Sequence, residues 1–258
     1  MWSTNVILYF LLIKIINGFT VERVVNGTDS SITRYPFTVS MRGATGSHKC
    51  GGSIIASRYI LTAAHCVSGN KPDEINIQYA TTDITTDIEQ FNVVPIKNII
   101  MHEKYNVQPE YANDIALLEL HEDLVFNYKT LAPVTLPEPY YEIPQVAEGV
   151  KGVLVGWGKN ETGGVSQTHL QEVDLKIYSD EECYLRHNNV TTVHQLCGGV
   201  DEGGKGQCSG DSGGPLLYND NVQLGIVSWS IKPCAIYPYP GVYTKVSHYV
   251  DWIYKQIH

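Results

Sequence analysis

The sequence predicts an all-β protein built from two β units, for which two packed antiparallel barrels are a suitable architecture, and a C-terminal helix. Short apolar segments with alternating or β-branched residues are separated by Gly, Pro, Asn and Asp, as in strands joined by turns. Proline collects near residues 130–145, where strand signals are few, which predicts a connector between the two units. Helical spacing of apolar residues occurs at 247–258.

The strand signals extend along most of the chain and contain no internal repeat. They lie at 75–79, 91–100, 115–120, 153–155, 170–177 and 222–229. In the C-terminal segment, Val250, Ile253, Tyr254 and Ile257 recur on one side of the expected helix. With 258 residues, of which 43% are hydrophobic, the chain is long enough for one large or two small domains with a buried core.

The charge balance limits the class of partner. The formal net charge is -9 at pH 7. Nucleic acids and anionic membrane surfaces select basic protein faces, so this balance argues against both as partners. A neutral or basic polypeptide is easier to accommodate.

An apolar run from Val6 to Ile16 lies near the N-terminus and is interrupted by Lys14. This run is shorter than the ~20 apolar residues of a membrane-spanning helix. Small and polar residues follow it, which is typical of a cleaved signal peptide. We therefore expect residues 1–18 to be a signal peptide and the mature protein to be secreted and extracellular. The alternative is that the segment is retained as an anchor.

The cysteines support the same compartment. Their even number in a secreted chain predicts three disulfides, although the residues alone leave the pairing open. The six are Cys50, Cys66, Cys183, Cys197, Cys208 and Cys234. Their spacing lacks the short paired motifs of zinc sites, so no metal is expected. The Asn-x-Thr sequons at Asn26, Asn160 and Asn189 are glycosylation candidates or chance matches in loops.

Three local patterns suggest chemistry, and they lie far apart in sequence. His65 follows small residues and precedes a cysteine, Asp114 opens a strongly apolar strand, and Ser212 lies in a glycine-rich turn. A buried Asp114 needs a partner, and the glycines permit a tight turn with several N–H groups on one side. Taken singly, each has a simpler interpretation: one of nine histidines, a strand-end cap, and a glycine-rich surface turn.

Together, and in this order, the three patterns resemble those of the chymotrypsin and trypsin family of serine endopeptidases. Other matches cover essentially all of the mature chain. The matching segments are Val24–Gly27, Cys50–Ser53, Thr62–Cys66, Asn113–Leu118, Gly156–Gly158, Gly210–Pro215, Ser228–Trp229 and Pro240–Tyr243. The resemblance implies the chymotrypsin-like fold, a double antiparallel β-barrel that ends in a helix. It also implies the disulfides Cys50–Cys66, Cys183–Cys197 and Cys208–Cys234.

The resemblance implies a role for each residue of the three patterns. Ser212 would be the nucleophile, His65 the base that takes its proton, and Asp114 the group that orients His65. The N–H groups of Gly210 and Ser212 would form the oxyanion hole. The substrates would be polypeptides, and protein inhibitors of proteases are further expected partners of a monomeric enzyme. No cofactor is implied, and Thr81 stands where a calcium ligand of the family would be a carboxylate, although Glu89 matches another ligand.

The chain also resembles the family at its expected activation site. Cleavage after Arg23 by a trypsin-like protease would free the α-amine of Val24, which in the family pairs with the acid equivalent to Asp211. Residues 19–23 would then be a short activation propeptide, and residues 24–258 the serine protease domain. Ser40 and His48 match positions that hold this acid in some family zymogens. The alternative is an arginine without this role.

The substrate pocket of the family corresponds here to seven residues. They are Gly206, Gln207, Ser209, Ser228, Trp229, Ser230 and Gly241. Trypsin-like members have an aspartate where this chain has Gly206, and no acid stands at Gly241 either. A basic side chain at P1, the substrate residue before the cleaved bond, would be buried against neutral walls, so basic P1 residues should be poor substrates.

The size of the pocket is less clear from the sequence. Two glycines leave room for a large apolar P1 side chain, so we expect chymotrypsin-like cleavage after Phe, Tyr or Leu. Gln207 and Ser230 replace smaller residues usual in the family and would favour an elastase-like preference for small P1 residues if they narrow the pocket. A further alternative is a catalytically silent homologue that only binds other proteins, although all residues of the expected site are present.

Overall fold

The structure is a computed structural model that describes residues 24–85, 92–106, 111–143 and 150–258. The expected signal peptide, the propeptide with Arg23, and Glu89 lie outside the described residues. No helix in these ranges is both long enough and apolar enough to cross a membrane.

Thirteen strands and three α-helices are formed by the described residues. In chain order the strands are β1 Thr28–Asp29, β2 Thr38–Gly43, β3 His48–Ala56, β4 Tyr59–Thr62, β5 Ile75–Gln78, β6 Val93–Met101, β7 Ala116–Leu120, β8 Val150–Gly156, β9 Gln171–Ile177, β10 Gln195–Gly199, β11 Pro215–Tyr218, β12 Val222–Trp229 and β13 Gly241–Lys245. The helices are α1 Ala64–Val67, α2 Asp180–Arg186 and α3 Val250–Ile257. Short 3₁₀ turns lie at Pro72–Glu74 and Val246–His248.

The first barrel is closed by six antiparallel strands in the order β2-β3-β4-β7-β6-β5. Its strands follow the two-residue period of a sheet with one buried face. In β6, for example, Val94 and Ile96 point into the core while Pro95 and Lys97 are exposed. Closure also pairs the edge strands, which would otherwise present free backbone groups to solvent.

The second barrel has the strand order β9-β10-β13-β12-β11-β8 and closes where β8 pairs with β9. The short strand β1 pairs with the other edge of β9. In β9, the alternate residues Val173, Leu175 and Ile177 are buried, whereas Asp174 between them is exposed. The two closed antiparallel barrels and the C-terminal helix confirm the expected fold class.

The two barrels are linked by a segment in the middle of the chain and by the packing of the first and last described residues. Residues 121–149 connect β7 to β8. In the described part of this connection, residues 121–143, Thr135 forms an isolated bridge with Val222. The C-terminal helix α3 returns to the first barrel, where Val250 and Ile253 are buried in the core. Val24 packs instead into the core of the second barrel. Each barrel is therefore covered by a segment distant in sequence.

A buried polar contact also links the barrels. The Ser53 hydroxyl on β3 donates a 2.5 Å hydrogen bond to Gln223 Oε1 on β12. The Gln223 amide nitrogen donates to the Gly225 carbonyl. Both side chains are fully buried, so each depends on the other to satisfy its polar atoms.

Replacing Gln223 should therefore destabilise the fold. We expect Gln223→Leu to lower the free energy of unfolding by about 1–3 kcal/mol, because it leaves the Ser53 hydroxyl buried without its acceptor. The double variant Ser53→Ala with Gln223→Leu should cost less than the sum of the two single variants. Denaturant unfolding measures all three, and additive costs would show that the two residues do not interact.

Candidate active site

The carboxylate of Asp114 is fully buried just before β7. Its Oδ1 accepts a hydrogen bond of 2.8 Å from the backbone N–H of His65. Its Oδ2 lies 2.7 Å from His65 Nδ1 and accepts a 2.6 Å bond from the Ser228 hydroxyl. The Thr244 hydroxyl donates to the Asp114 backbone carbonyl at 2.8 Å. Asp114 is thus held by residues of both barrels.

His65 lies on α1, directly after β4, and its neighbour Cys66 is bonded to Cys50. Because the Asp114 carboxylate accepts a hydrogen bond from Nδ1–H, the neutral ring carries no proton on its other nitrogen, Nε2, which can therefore act as an acceptor. The ring of Tyr111 packs edge-on against His65, with 5.6 Å between the ring centroids. His65 and Ser212 line the same cavity, whose volume is about 300 Å³.

Ser212 lies in a turn that requires glycine. Gly210 and Gly213 on either side have φ angles of +101° and +78°, which other residues rarely adopt. A Cβ atom at Gly213 would also collide with the Thr62 side chain. The first and second barrels meet at this turn, because the Gly51 N–H donates to the Ser212 carbonyl at 2.8 Å.

His48 holds the carbonyl group of Gly210. Its Nε2 lies 2.9 Å from that oxygen, and its Nδ1 lies 2.8 Å from the Ser40 hydroxyl. Burial lowers the pKa of His48 to about 4, so the ring is neutral, donates to Gly210 and accepts from Ser40. The resemblance suggested that His48 and Ser40 hold Asp211, but in this structure they hold the preceding residue.

Asp211 points away from the cavity and is fully buried. Its carboxylate accepts hydrogen bonds of 2.9 Å from the N–H groups of Gly158 and Cys208. Burial raises its pKa to about 7, against the opposite effect of these two donors. Within the described ranges, no side chain forms an ion pair with it. Val24, also fully buried, belongs to the core of the same barrel.

Five of the seven expected pocket residues line the cavity. They are Gln207, Ser209, Ser228, Trp229 and Ser230. Gly206 and Gly241 do not contribute to its wall: Gly206 pairs with Val25, and Gly241 is covered by a side chain. Cys208, which stands between Gln207 and Ser209, lines the cavity as well, and sequence reasoning missed three lining residues, which are Tyr111, Val227 and Lys232. The closeness of Tyr111 to Asp114 and of Lys232 to Cys234 in sequence could have indicated two of them.

The side chain that covers Gly241 is that of Gln207. It is buried, and its amide nitrogen donates a 2.6 Å hydrogen bond to the Trp229 carbonyl. A Cβ atom at Gly241 would lie 2.7 Å from the amide carbon of Gln207. Gln207 therefore fills the space beside Gly241 that two glycines would otherwise leave open.

The structure pairs all six cysteines as the resemblance implies. The disulfides are Cys50–Cys66, Cys183–Cys197 and Cys208–Cys234. The first is adjacent to His65, and the third is part of the cavity wall. Of the sequon asparagines, Asn26 and Asn189 are exposed and Asn160 is half-buried.

Two closed barrels, with a buried aspartate paired to a histidine and a serine on the same cavity as that histidine, define the chain as a serine endopeptidase, whose substrates are polypeptides. The Trypsin family model matches residues 24–253, and the chain belongs to this family.

Similar proteins with established names support this assignment. Trypsin-1 of Astacus astacus is 36% identical over 240 residues, covering 89% of this chain and 98% of the relative. Trypsin 5G1 of Aedes aegypti is 36% identical over 235 residues, covering 90% and 84%. The proclotting enzyme of Tachypleus tridentatus is 32% identical over 260 residues, covering 92% and 67%.

The raised pKa of Asp211 predicts a pH-dependent stability of the uncut chain. Between pH ~4 and ~7 the folded chain keeps a proton that the unfolded chain releases, so stability falls as the pH rises. The lowered pKa of His48 acts in the opposite direction, because its contribution is lost as the pH falls from ~6.5 to ~4.

Comparison with Asp211→Asn separates the two effects, since only the carboxyl group is changed. Relative to the parent, the melting temperature of the variant should rise by about 5 °C between pH 4.5 and 7.5. Both proteins should carry Ser212→Ala so that neither is cut during the measurement by calorimetry. A difference that stays constant with pH would contradict the raised pKa.

Proposed function

We propose that the chain is a secreted serine endopeptidase, made as a zymogen, that cleaves peptide bonds with Ser212, His65 and Asp114. The observation that carries the proposal is the buried Asp114 carboxylate, 2.7 Å from His65 Nδ1, beside a cavity that Ser212 shares. The six cysteines, all in disulfides, support an oxidising compartment and thus secretion. A homologue that only binds other proteins would not need Asp114, His65 and Ser212 together at one cavity.

In the proposed mechanism, His65 Nε2 removes the proton of the Ser212 hydroxyl as its oxygen attacks the substrate carbonyl. Asp114 stays ionised and stabilises the imidazolium that forms. The imidazolium then protonates the leaving amine. In the second step His65 removes a proton from a water molecule as it attacks the acyl carbonyl, and then returns this proton to the Ser212 oxygen as the acyl bond breaks. The N–H groups of Gly210 and Ser212 donate hydrogen bonds to the developing oxyanion. Loss of one such donor would raise the activation free energy by about 3 kcal/mol.

Activation would follow cleavage after Arg23 by a trypsin-like protease. The new α-ammonium of Val24 would pair with Asp211, whose buried carboxylate accepts hydrogen bonds from two backbone N–H groups of the described residues. Breaking such a buried pair costs about 3–5 kcal/mol, enough to disturb the Gly210 turn next to it.

We also propose protein inhibitors as partners and a monomeric enzyme without cofactor or metal. Glycans would be attached at Asn26, Asn160 and Asn189, of which Asn160 is the least accessible.

The pocket should reject basic P1 side chains, because none of the described residues that line it carries a carboxylate. The sequence favours Phe, Tyr or Leu, with small residues as the alternative. Since Gln207 fills the space beside Gly241, we favour a P1 side chain of the length of leucine over the longer aromatic rings. The remaining cavity is larger than alanine requires.

Cleaving the purified chain after Arg23 tests the function. We expect an N-terminus at Val24, covalent labelling of Ser212 by a phosphonyl fluoride, and hydrolysis of peptides in the P1 order Leu above Phe and Ala, with Arg poorest. The Ser212→Ala variant is the control and should neither react nor turn over. Absence of labelling would revive a binding protein without catalysis, and dominant Arg cleavage would refute the proposed pocket.

Gln207→Ser tests the pocket depth. The shorter side chain should uncover Gly241, so the kcat/KM ratio of Phe to Leu substrates should rise by about tenfold. The Leu substrate reports any general loss of activity, because it fits both pockets. An unchanged ratio would show that Gln207 does not limit the P1 side chain.

A further inference from the structure

Lys232 is the cationic side chain of the cavity wall. It lies on the segment between Trp229 and Cys234, and it lines the same cavity as His65 and Ser212. Its Nζ lies 3.4 Å from the Ser209 hydroxyl and 3.0 Å from Cys234 Sγ. The sulfur of a disulfide is a weak acceptor, so these contacts position the ammonium without neutralising it.

The charges around Lys232 leave it without a close counter-ion. In the part of the chain that the structure describes, Lys232 forms no ion pair. The carboxylates of Asp114 and Asp211 are fully buried and occupied by their own hydrogen bonds. Burial lowers the Lys232 pKa, while attraction to Asp211 acts against this effect. The other polar groups of the cavity wall include the neutral Ser209 and Ser230.

We propose that the cavity binds a glutamate side chain at P1, with the Lys232 ammonium as its counter-charge. This inference rests on the proposed endopeptidase function. Gln207 fills the space beside Gly241, while the exposed residues Lys232 and Ser209 line the same cavity with Nζ 3.4 Å from the hydroxyl, so a P1 side chain of intermediate length could bring a carboxylate to them. Glutamate has that length and supplies the charge that Lys232 lacks. Glutamine, of the same shape without the charge, is its matched comparison.

The test compares peptides that differ only at P1, with Glu, Gln, Leu or Phe, after cleavage of the chain at Arg23. We expect kcat/KM for Glu to exceed that for Gln by about fivefold at low salt, and the ratio to fall as salt rises. Lys232→Met should abolish the Glu advantage, whereas Lys232→Arg should retain it. The Leu peptide reports any general change of turnover in these variants, so the Glu effect is judged from the Glu to Gln and Glu to Leu ratios of each protein.

Lys205→Met is the matched control, because Lys205 is exposed and lies outside the cavity. It removes the same charge and should leave the Glu to Gln ratio unchanged. Equal turnover of Glu and Gln by the parent would overturn the inference, as would a preference for Glu at another substrate position only. Turnover of Leu with Ser212 labelled would then show that the proposed endopeptidase function still holds. If Ser212 neither labels nor turns over any peptide, both proposals fail.

Discussion

The hydrogen bonds of the Asp114 carboxylate are the interaction on which the site depends. A buried carboxylate costs several kcal/mol unless donors replace its water. Here the donors come from His65 of the first barrel and Ser228 of the second. The bonds that satisfy the charge therefore also set the position of one barrel against the other. Because the cavity lies where they meet, its geometry follows from the same bonds.

Asp211 is a useful contrast, since it is an equally buried aspartate in the same structure. Asp114 has donors of three kinds, namely a backbone N–H, an imidazole and a hydroxyl. Asp211 has two backbone donors in the uncut chain, and its pKa is raised to about 7. Its environment thus favours a proton or a cation beside the carboxylate. In the proposed activation, the new α-ammonium of Val24 would supply this cation and would link chain cleavage to the order of the turn that carries Ser212.

The sequence predicts the fold class and the residues of the cavity better than the course of individual strands. Local patterns suffice for His65, Asp114 and Ser212, because each lies in a short segment whose composition is unusual. Strands β1 to β4, β10, β11 and β13 were not among the predicted strands. In β3, for example, Gly51 and Gly52 interrupt the apolar alternation, yet their backbone groups still pair with β2. Strand β8 extends beyond its predicted core, to Val150–Gly156, because its pairing with β9 includes Val150, Lys151 and Gly152 at its start.

The unpredicted features of the site come from contacts between residues distant in sequence. Gln207 turns toward Gly241 because the Trp229 carbonyl, 22 residues later, accepts its amide proton. His48 contacts Gly210 across 162 residues. A sequence pattern gives the residue type at each position, but it does not show which hydrogen-bond acceptor fixes the conformation of a long side chain. Long side chains with polar ends are therefore the least predictable part of such a site.

This explains why Gly206 and Gly241 were misleading guides to the size of the pocket. A glycine shows that its own side chain leaves space, but whether the space stays empty depends on the neighbours. Here Gln207 occupies it, and its amide is fixed by a hydrogen bond rather than free to move aside. The P1 side chains that the pocket accepts therefore depend less on Gly206 and Gly241 than on the residues that line the remaining wall. On the same cavity wall, Ser209 and Lys232 supply a hydroxyl and a positive charge, so the charge of a P1 side chain would influence substrate choice as well as its size.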